Sequence, residues 1–444
     1  VKKIVLIVGI LSAGYAFCQT APRQPSIGYT YPAGGQQGTI VQVTVGGQYL
    51  NGVSEVVISG QGITTSDIRY IPILNTLQRQ ELQNRLKAIR VKQMQATRQK
   101  YQAPTPPQEE KKQEKIQELT KTIGKPDEEE KPVKLPPHPL LLNLENLTPY
   151  QIKQVSDIFL PFQRLQIKRS IQEMVIVNIR IDADAPPGIR ELRLKTTNGL
   201  TNPVFFEVGT YPEISETEPN EPGEPSMQAC TLPIVFNGQI MPGDADRFCF
   251  NGHQGQKLVI ETHGRKILPY IADAVPGWFQ AVLLLYDSNG REIAYVDDYL
   301  FSPDPVIFFT VPHDGEYTVE IRDAIYRGRE DFVYRIYVAE KPFITHIFPM
   351  GGKRGEKSTV AISGWNLADK VLPLDTGPDG GIIREAILCY NGTYSNPVYY
   401  AVDEFPESFE KEPNDTRSKA QKVSIPQTIN GCISKPGDVD IFRI

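Results

Sequence analysis

The sequence predicts a mainly β protein built from tandem β-sandwiches and interrupted once by a helical segment rich in Pro, Glu and Lys. Short runs alternate apolar and polar residues between glycine and proline turns, as in Val41, Val43 and Val45, which is typical of strands in a small sandwich. Long stretches also recur within the chain. At 444 residues, 40% of them apolar, the chain is long enough for about two to four domain cores.

The chain begins with the layout of a secretory signal peptide. Two lysines precede an apolar run over residues 4–16, and small residues near Cys18 suit cleavage after that position. The run is too short to span a membrane, so no transmembrane segment is expected. We therefore expect residues 1–18 to be removed and the remainder to be exported to the cell surface or the extracellular space, with the periplasm as an alternative.

Two stretches that occur twice, with the same glycine and proline positions, mark a repeated domain. Residues 25–50, PSIGYTYPAGGQQGTIVQVTVGGQYL, match residues 342–367, PFITHIFPMGGKRGEKSTVAISGWNL, without a gap. A closing stretch that shares an Asn-Pro-Val sequence also recurs. We therefore predict similar sandwich domains over residues 25–209 and 341–403.

A second kind of module follows each copy and opens with Glu-Pro-Asn, at residues 218–220 and 412–414. Both modules then carry a Pro-Gly-Asp-x-Asp-x-Phe turn. In residues 317–322 of the complete module, apolar and polar side chains alternate, as in a strand with one buried face. We predict a jelly-roll-like sandwich of about eight strands over residues 213–340 and a truncated copy over residues 408–444.

The first copy of the repeated domain contains an insertion over about residues 70–150. Apolar residues recur at helical spacing in two parts of it, which predicts a helical hairpin. Its Pro-, Glu- and Lys-rich remainder is typical of a mobile tip. The seven basic side chains between Arg79 and Lys100 are interpreted as a solvated helix face, with contact to an acidic polymer or anionic lipid as the alternative. The helical apolar positions are Leu77, Leu82, Leu86 and Ile89, and then Ile116, Leu119 and Ile123.

The repeated domains resemble the IPT/TIG immunoglobulin-like domain, with its opening proline, Gly-Gly turn and closing Asn-Pro-Val strand. The other modules resemble the bacterial pre-peptidase C-terminal (PPC) domain, marked by Glu-Pro-Asn, then Gly-Asp-x-Asp-x-Phe, then a late Asp-Gly-x-Tyr strand, here residues 314–317. The resemblance covers nearly everything except the N-terminal segment and the insertion. It implies tandem Ig-like and jelly-roll-like sandwiches, in an arrangement similar to large secreted or surface proteins of environmental bacteria such as planctomycetes.

Each PPC-like module carries oxygen ligands on two neighbouring segments, its Glu-Pro-Asn sequence and its acidic turn. Calcium takes six to eight oxygen ligands, drawn from carboxylates and carbonyls. The pattern resembles the calcium site of the PPC-type domains of bacterial collagenases, which implies Ca²⁺ as a cofactor. The alternative is that the aspartates bond backbone amides of their own turns. The candidate metal ligands are Glu216, Glu218, Asn220, Glu221, Asp244 and Asp246 in the first module, and Glu410, Glu412, Asn414, Asp415, Asp438 and Asp440 in the second.

Four cysteines remain after the predicted cleavage, and an exported protein meets an oxidising compartment. Cys230 and Cys249 flank one predicted strand. A disulfide between them and a buried thiol are both open from the sequence.

No catalytic motif accompanies these modules. The five histidines are scattered, neither HExxH nor GxSxG occurs, and the net charge of -5 argues against nucleic-acid binding. We expect a non-catalytic, calcium-stiffened protein that contacts an extracellular polymer, either polysaccharide or protein, or another surface protein. Two alternatives stay open. In one, the chain is the targeting or secretion region of a secreted peptidase whose catalytic domain lies beyond residue 444; in the other, the PPC-like module itself binds carbohydrate or collagen.

Overall fold

The computed structural model describes residues 24–101, 133–160, 171–218, 220, 228–268, 278–390 and 392–444. These residues form mainly β-strands arranged as successive sandwiches, which confirms the predicted fold class. The predicted signal peptide, the second predicted helix of the insertion with Ile116, Leu119 and Ile123, and Glu221 lie outside the described residues.

The first IPT-like domain packs a four-stranded sheet, β1-β3-β6-β5, against a second sheet, β2-β9-β7-β4, with β8 paired to β7. Val43 and Val45, from the alternating run that predicts a strand, are fully buried in the core between the sheets. The strands are β1 (Ser26–Tyr31), β2 (Gly34–Gln36), β3 (Ile40–Gln48), β4 (Glu55–Ile58), β5 (Ile63–Ile71), β6 (Glu173–Ile181), β7 (Gly188–Thr196), β8 (Gly199–Leu200) and β9 (Val204–Gly209).

The insertion leaves the sheet after β5, returns at β6, and forms a small core of its own. Helix α1 (Thr76–Tyr101) packs on helix α2 (Pro149–Phe159), and two short 3-10 turns, Pro139–Leu141 and Leu144–Asn146, precede α2. Leu82, Leu86 and Ile89 are buried in this core as their spacing predicts, whereas Leu77 is exposed. The partner of α1 among the described residues is therefore α2, a helix that the sequence reasoning did not predict.

Several basic side chains of α1 have partners within the insertion. Arg85 pairs with Glu81 one turn earlier at 2.6 Å, and Arg90 donates to the Ser156 hydroxyl at 3.0 Å. These contacts favour the interpretation of a helix face stabilised by local pairs, each worth about 0.2–0.5 kcal/mol.

The PPC-like domain packs the sheet β10-β11-β18-β13-β16 on the sheet β12-β17-β14-β15. Tyr317, Val319 and Ile321 point into the core, as their alternation predicts. The ninth strand, beyond the eight expected, is the short β10, which pairs parallel with β11. The strands are β10 (Glu213–Ser215), β11 (Ile234–Gln239), β12 (Ala245–Gly252), β13 (Lys257–His263), β14 (Ala281–Tyr286), β15 (Glu292–Val296), β16 (Val306–Thr310), β17 (Gly315–Asp323) and β18 (Val333–Ala339).

The second IPT-like domain is smaller, with the sheets β19-β21-β22 and β20-β26-β23 and a small β24-β25 hairpin. After it, residues 404–444 form two parallel strand pairs, β27-β29 and β28-β30. The strands are β19 (Phe343–Phe348), β20 (Gly351–Lys353), β21 (Ser358–Trp365), β22 (Val371–Leu374), β23 (Ile383–Ala386), β24 (Cys389–Tyr390), β25 (Thr393–Tyr394), β26 (Val398–Asp403), β27 (Glu407–Phe409), β28 (Gln421–Lys422), β29 (Thr428–Asn430) and β30 (Phe442–Arg443).

The repeated Gly-Gly turn has a steric reason. Gly34 begins β2 beside β9, and Gly351 begins β20 beside β26, in parallel pairs. A Cβ atom on either glycine would overlap a backbone carbonyl oxygen, that of Glu207 or that of Ala401. Only glycine permits this close approach, so both copies keep it.

An aromatic cluster joins the PPC-like domain to the second IPT-like domain. Phe343, at the start of β19, is buried against Val259 and Val306. Its ring lies 5.1 Å from that of Phe308, which stacks on Trp365 with ring centroids 5.2 Å apart. This interface fixes the second IPT-like domain on the face of the β13-β16 pair.

The described cysteines carry no disulfide. Cys230 donates its backbone N–H to the carbonyl oxygen of Cys249 at 2.9 Å, and Cys249 is buried. The sequence left open a disulfide between Cys230 and Cys249 or a buried thiol. In the structure both residues are thiols, and Cys249 is the buried one. No helix among the residues described has the length and apolar character needed to cross a membrane.

Candidate metal site at the domain junction

The first acidic cluster lies where the linker after β10 meets the start of β12, just after the loop that connects β11 of one sheet to β12 of the other. Carboxylate oxygens of Glu216, Glu218 and Asp246 lie within 4.8 Å of one another. Because β10 pairs parallel with β11, the linker that follows β10 runs beside the loop that follows β11. The N–H of Arg247 donates to the carbonyl oxygen of Asn220 at 3.2 Å, which holds the far end of the linker in place.

Asn220 adds an amide group to this cluster and is almost completely buried. Its side-chain oxygen faces Glu218 Oε2 and Asp246 Oδ1, at 3.1 Å from each. Three oxygen atoms this close repel one another unless a cation lies among them or the amide turns so that its nitrogen donates. With the amide turned, its nitrogen donates to both carboxylates at 3.1 Å; with its oxygen inward, Asn220 offers a cation a further oxygen ligand.

The preceding domain also reaches the cluster. Tyr31 of β1 donates its hydroxyl to Glu216 Oε1 at 3.2 Å, and the N–H of Gln239 donates to the same oxygen at 2.9 Å. Tyr334 of β18 donates to Asp246 Oδ2 at 2.6 Å. These contacts, which sequence reasoning missed, make the cluster a junction between two domains.

Burial sets the protonation of these acids. It raises the pKa of Glu216 to about 8. Burial, and then the neighbouring charges of Glu216 and Asp244, raise the pKa of Asp246 well above its usual range. Without a cation, Glu216 therefore tends to hold a proton at neutral pH, and burial disfavours the charged form of Asp246. A bound cation has the opposite effect, because an adjacent positive charge favours the ionised carboxylate.

Asp244, the other candidate ligand on the loop between β11 and β12, is outside the cluster. Its carboxylate accepts the N–H groups of Met241 and Ala245, both at 3.0 Å. For Asp244 the turn interpretation therefore describes the contacts in the structure.

The second module brings five of its six candidate ligands into two overlapping groups, and the sixth, Asn414, lies on the same segment. Glu410, Glu412 and Asp440 form one group within 4.8 Å, and Glu412, Asp415 and Asp438 form another. Asn414 is completely buried, and neither its side-chain oxygen nor its nitrogen has a hydrogen-bond partner among the described residues.

Two further buried atoms in the second module, Glu410 Oε2 and Asp440 Oδ1, also have no hydrogen-bond partner among the described residues. Buried polar atoms without partners are costly, which a cation in this position would relieve. Phe348 occupies the place of Tyr31 and packs on Phe409 instead, so the two sites differ in their contact with the preceding domain.

The donor sets of both modules consist of carboxylates and one amide. Hard cations such as Ca²⁺ prefer oxygen ligands of this kind, whereas zinc sites use Cys and His. The residues present therefore fit calcium.

A second feature of the junction is a buried charge network, which we call the junction network (Glu207, Glu213, His263 and Arg335). Arg335 is completely buried and donates to both carboxylate oxygens of Glu213, at 2.7 and 3.0 Å. Its Nε lies 3.5 Å from Glu207, and His263 lies 2.9 Å from the same carboxylate. Burial alone would raise the pKa of Glu207, but His263 and Arg335 lower it below its usual range. The network thus holds ionised groups of both domains together.

Comparisons with known proteins give only distant similarities. No protein-family model and no curated protein matches the chain. The pre-peptidase C-terminal domain of a collagenase from Bacillus anthracis is 12% identical, with 26% of this chain and 97% of that chain covered and a TM-score of 0.19. A secreted serine protease from Vibrio cholerae is 8% identical over 38% of this chain and 36% of that chain, with a TM-score of 0.17. The C-terminal domain of an antigen I/II-family protein from Streptococcus pyogenes is 10% identical over 85% of this chain and 99% of that chain, with a TM-score of 0.15.

Proposed function

We propose that the chain is a non-catalytic architectural and binding protein of the cell exterior, in which calcium stabilises the junction between an IPT-like and a PPC-like sandwich. One observation carries the proposal. The oxygen cluster consists of Glu216 and Glu218 of the interdomain linker and Asp246 at the start of β12, and Tyr31 of the IPT-like domain donates a hydrogen bond to Glu216.

In this proposal Glu216, Glu218, Asn220 and Asp246 hold the ion of the first module. The ion supplies positive charge, which keeps the buried carboxyls ionised. It connects the linker to the start of β12. Tyr31 and Tyr334 orient the carboxylates, since each donates a hydroxyl to one of them. A cation that binds only the folded state stabilises it by mass action.

The repetition extends the same role along the chain. The second module offers an equivalent set, and the aromatic interface at Phe343 connects one domain pair to the next. A series of sandwiches held by such junctions suits a protein that spaces or presents surfaces outside the cell. Its partners in the proposal are an extracellular polysaccharide or protein, or another surface protein.

Heating curves of the full chain in calcium and in chelator test this function. At a calcium concentration 100 times the dissociation constant, the folded state gains about 2.7 kcal/mol, so the midpoint of the transition that includes the PPC-like domain rises. Asp246→Asn is expected to abolish the rise, because it removes a carboxylate from the cluster. It is expected to change the chelator curve less, because burial already disfavours the charged form of Asp246 there. The matched control is Asp314→Asn, an exposed acid away from the cluster. Coincident wild-type curves in the two conditions would count against the proposal.

A further inference from the structure

The two IPT-like domains differ at one sheet edge. In the first domain, β4 pairs antiparallel with β7, from Glu55 opposite Lys195 to Ile58 opposite Leu192. In the second domain, β23 takes the place of β7, and its strand neighbour among the described residues is β26 alone. The backbone N–H and C=O groups on the other side of β23 are therefore available for pairing, as at any sheet edge. We call this side the open edge (residues 383–388).

The residues along the two edges also differ in charge. The covered edge of the first domain carries Arg193 and Lys195, and Lys195 pairs with Glu55 of β4 at 3.2 Å. Alignment through Arg190 and Arg384 places Ile387 and Cys389 at the corresponding positions, and both are exposed. At these two positions the chemistry that matches the edge is therefore apolar, whereas β4 supplies a charge to its own edge. The exposed Glu385, at the position of Glu191, adds one negative charge to the open edge.

The inward side of the open edge carries a smaller side chain than the same edge of the first domain. In the first domain, Val56 of β4 is buried against Leu192 and Leu194. Their counterparts in the second domain are Ala386 and Leu388, and Ala386 is only partly buried. Because alanine is three carbons shorter than leucine, an inward apolar side chain on an added strand would find room beside it.

The outer face next to the open edge carries large exposed apolar side chains together with one exposed acid, Glu385, which lies opposite Tyr399. Ile383 and Tyr399 are each 65% exposed, and they lie on the neighbouring strands β23 and β26. Exposed apolar side chains beside an unpaired edge are unusual in a soluble sandwich, and proteins generally cover or charge such edges. This combination is typical of surfaces that bind an extended chain by strand addition.

We propose that the open edge receives an extended segment of a partner polypeptide as an added antiparallel strand, in the position that β4 has in the first domain. The segment has two apolar side chains, one directed inward beside Ala386 and the next outward beside Ile387, and it carries no acid opposite Glu385. This inference adds a partner class to the architectural role proposed above, and it does not depend on the cation sites.

Fluorescently labelled peptides test the proposal on the full chain. The first peptide copies residues 51–60 and contains β4, the second carries Glu55→Val, and the third carries Glu55→Val together with Val57→Pro. Binding is followed by anisotropy, and the site is located by amide hydrogen exchange. The Glu55→Val peptide is expected to bind and to slow exchange in residues 383–388. The unchanged peptide binds more weakly, and the proline peptide does not bind, because proline cannot donate to a strand ladder.

A charge restored at the edge provides the matched control. In the variant Cys389→Lys, the preference for the Glu55→Val peptide over the unchanged one is expected to fall about two- to fivefold, since a cross-strand pair of opposite charge is worth about 0.2–1 kcal/mol. An unchanged preference, or protection that appears away from residues 383–388, would overturn strand addition at this edge. Retention of the chain on an insoluble polysaccharide that is lost in Tyr399→Ala, with no peptide protection, would assign the face to a sugar polymer instead.

The peptide experiments are run in calcium and in chelator, which separates this inference from the proposed function. Peptide protection that persists in both conditions supports the open edge whatever the heating curves show. A calcium effect on the heating curves without peptide protection would leave the cation proposal standing and remove the strand proposal.

Discussion

Replacing Arg335 by methionine is expected to lower the free energy of unfolding of the first two sandwiches by about 3–5 kcal/mol. Arg335 is completely buried, and its guanidinium contacts Glu213 through two hydrogen bonds. Methionine fills a similar volume but leaves the Glu213 carboxylate without its two hydrogen bonds from Arg335, and it removes one of the positive charges near Glu207. Removing one partner of a buried pair exposes the other to the full desolvation cost. Urea unfolding, followed by the fluorescence of the buried Trp278, measures the change.

A surface ion pair provides the control for Arg335. Lys195 pairs with Glu55 at 3.2 Å, and both side chains are more than half exposed. Lys195→Met is therefore expected to cost about 1 kcal/mol or less, because water screens such pairs. If Arg335→Met costs no more than Lys195→Met, the junction network does not hold the two domains together.

Replacing Phe343 by alanine is expected to cost about 3–5 kcal/mol and to separate the unfolding of the second IPT-like domain from that of the PPC-like domain. The buried ring of Phe343 fills the interface between these domains, with Phe308 5.1 Å and Tyr299 5.4 Å away between ring centroids. Its removal leaves a cavity at the contact between the domains. Calorimetry of the full chain measures both the loss and the splitting of the transition.

Phe301 is the matched control, because it is a fully exposed phenylalanine of the same PPC-like domain. Phe301→Ala is expected to leave the calorimetric profile within about 0.5 kcal/mol of the wild type, as most exposed substitutions do. A Phe343→Ala profile that matches the control would mean that the aromatic cluster does not couple the domains.

Local sequence patterns were sufficient to predict the sandwich class and some residues of the oxygen cluster. Alternation predicts strands such as those with Val43 and Tyr317, because a half-buried strand needs a period of two. Glu218 occurs in a short motif of the linker and Asp246 in a short motif at the start of β12, so their proximity could be predicted without knowing the rest of the fold. Asp244 could not be separated from Asp246 in this way, because only the turn geometry decides which carboxylate caps its own backbone.

Contacts between residues far apart in sequence could not be predicted. Tyr31 and Glu216 are 185 residues apart in the chain, and Tyr334 and Asp246 are 88 apart. Arg335 lies inside an apolar alternating run, where only its tertiary partners make a buried charge tolerable.

Helix α2 had a local signal that sequence reasoning overlooked. Thr148 and Gln151 form a capping box, and Pro149 follows at the first helical position. These are recognisable start signals.

The central claim, that the oxygen cluster at the first junction binds calcium, is tested most directly by terbium luminescence of the full chain. Tb³⁺ accepts the same oxygen ligands as Ca²⁺ and emits when a nearby tyrosine is excited, and Tyr31 and Tyr334 both donate to carboxylates of the cluster. We expect a saturable emission that calcium displaces, that Tyr31→Phe weakens and that Asp246→Asn lowers to the part contributed by the second module. An emission that is the same in Asp246→Asn as in the wild type, or that calcium does not displace, would contradict the central claim.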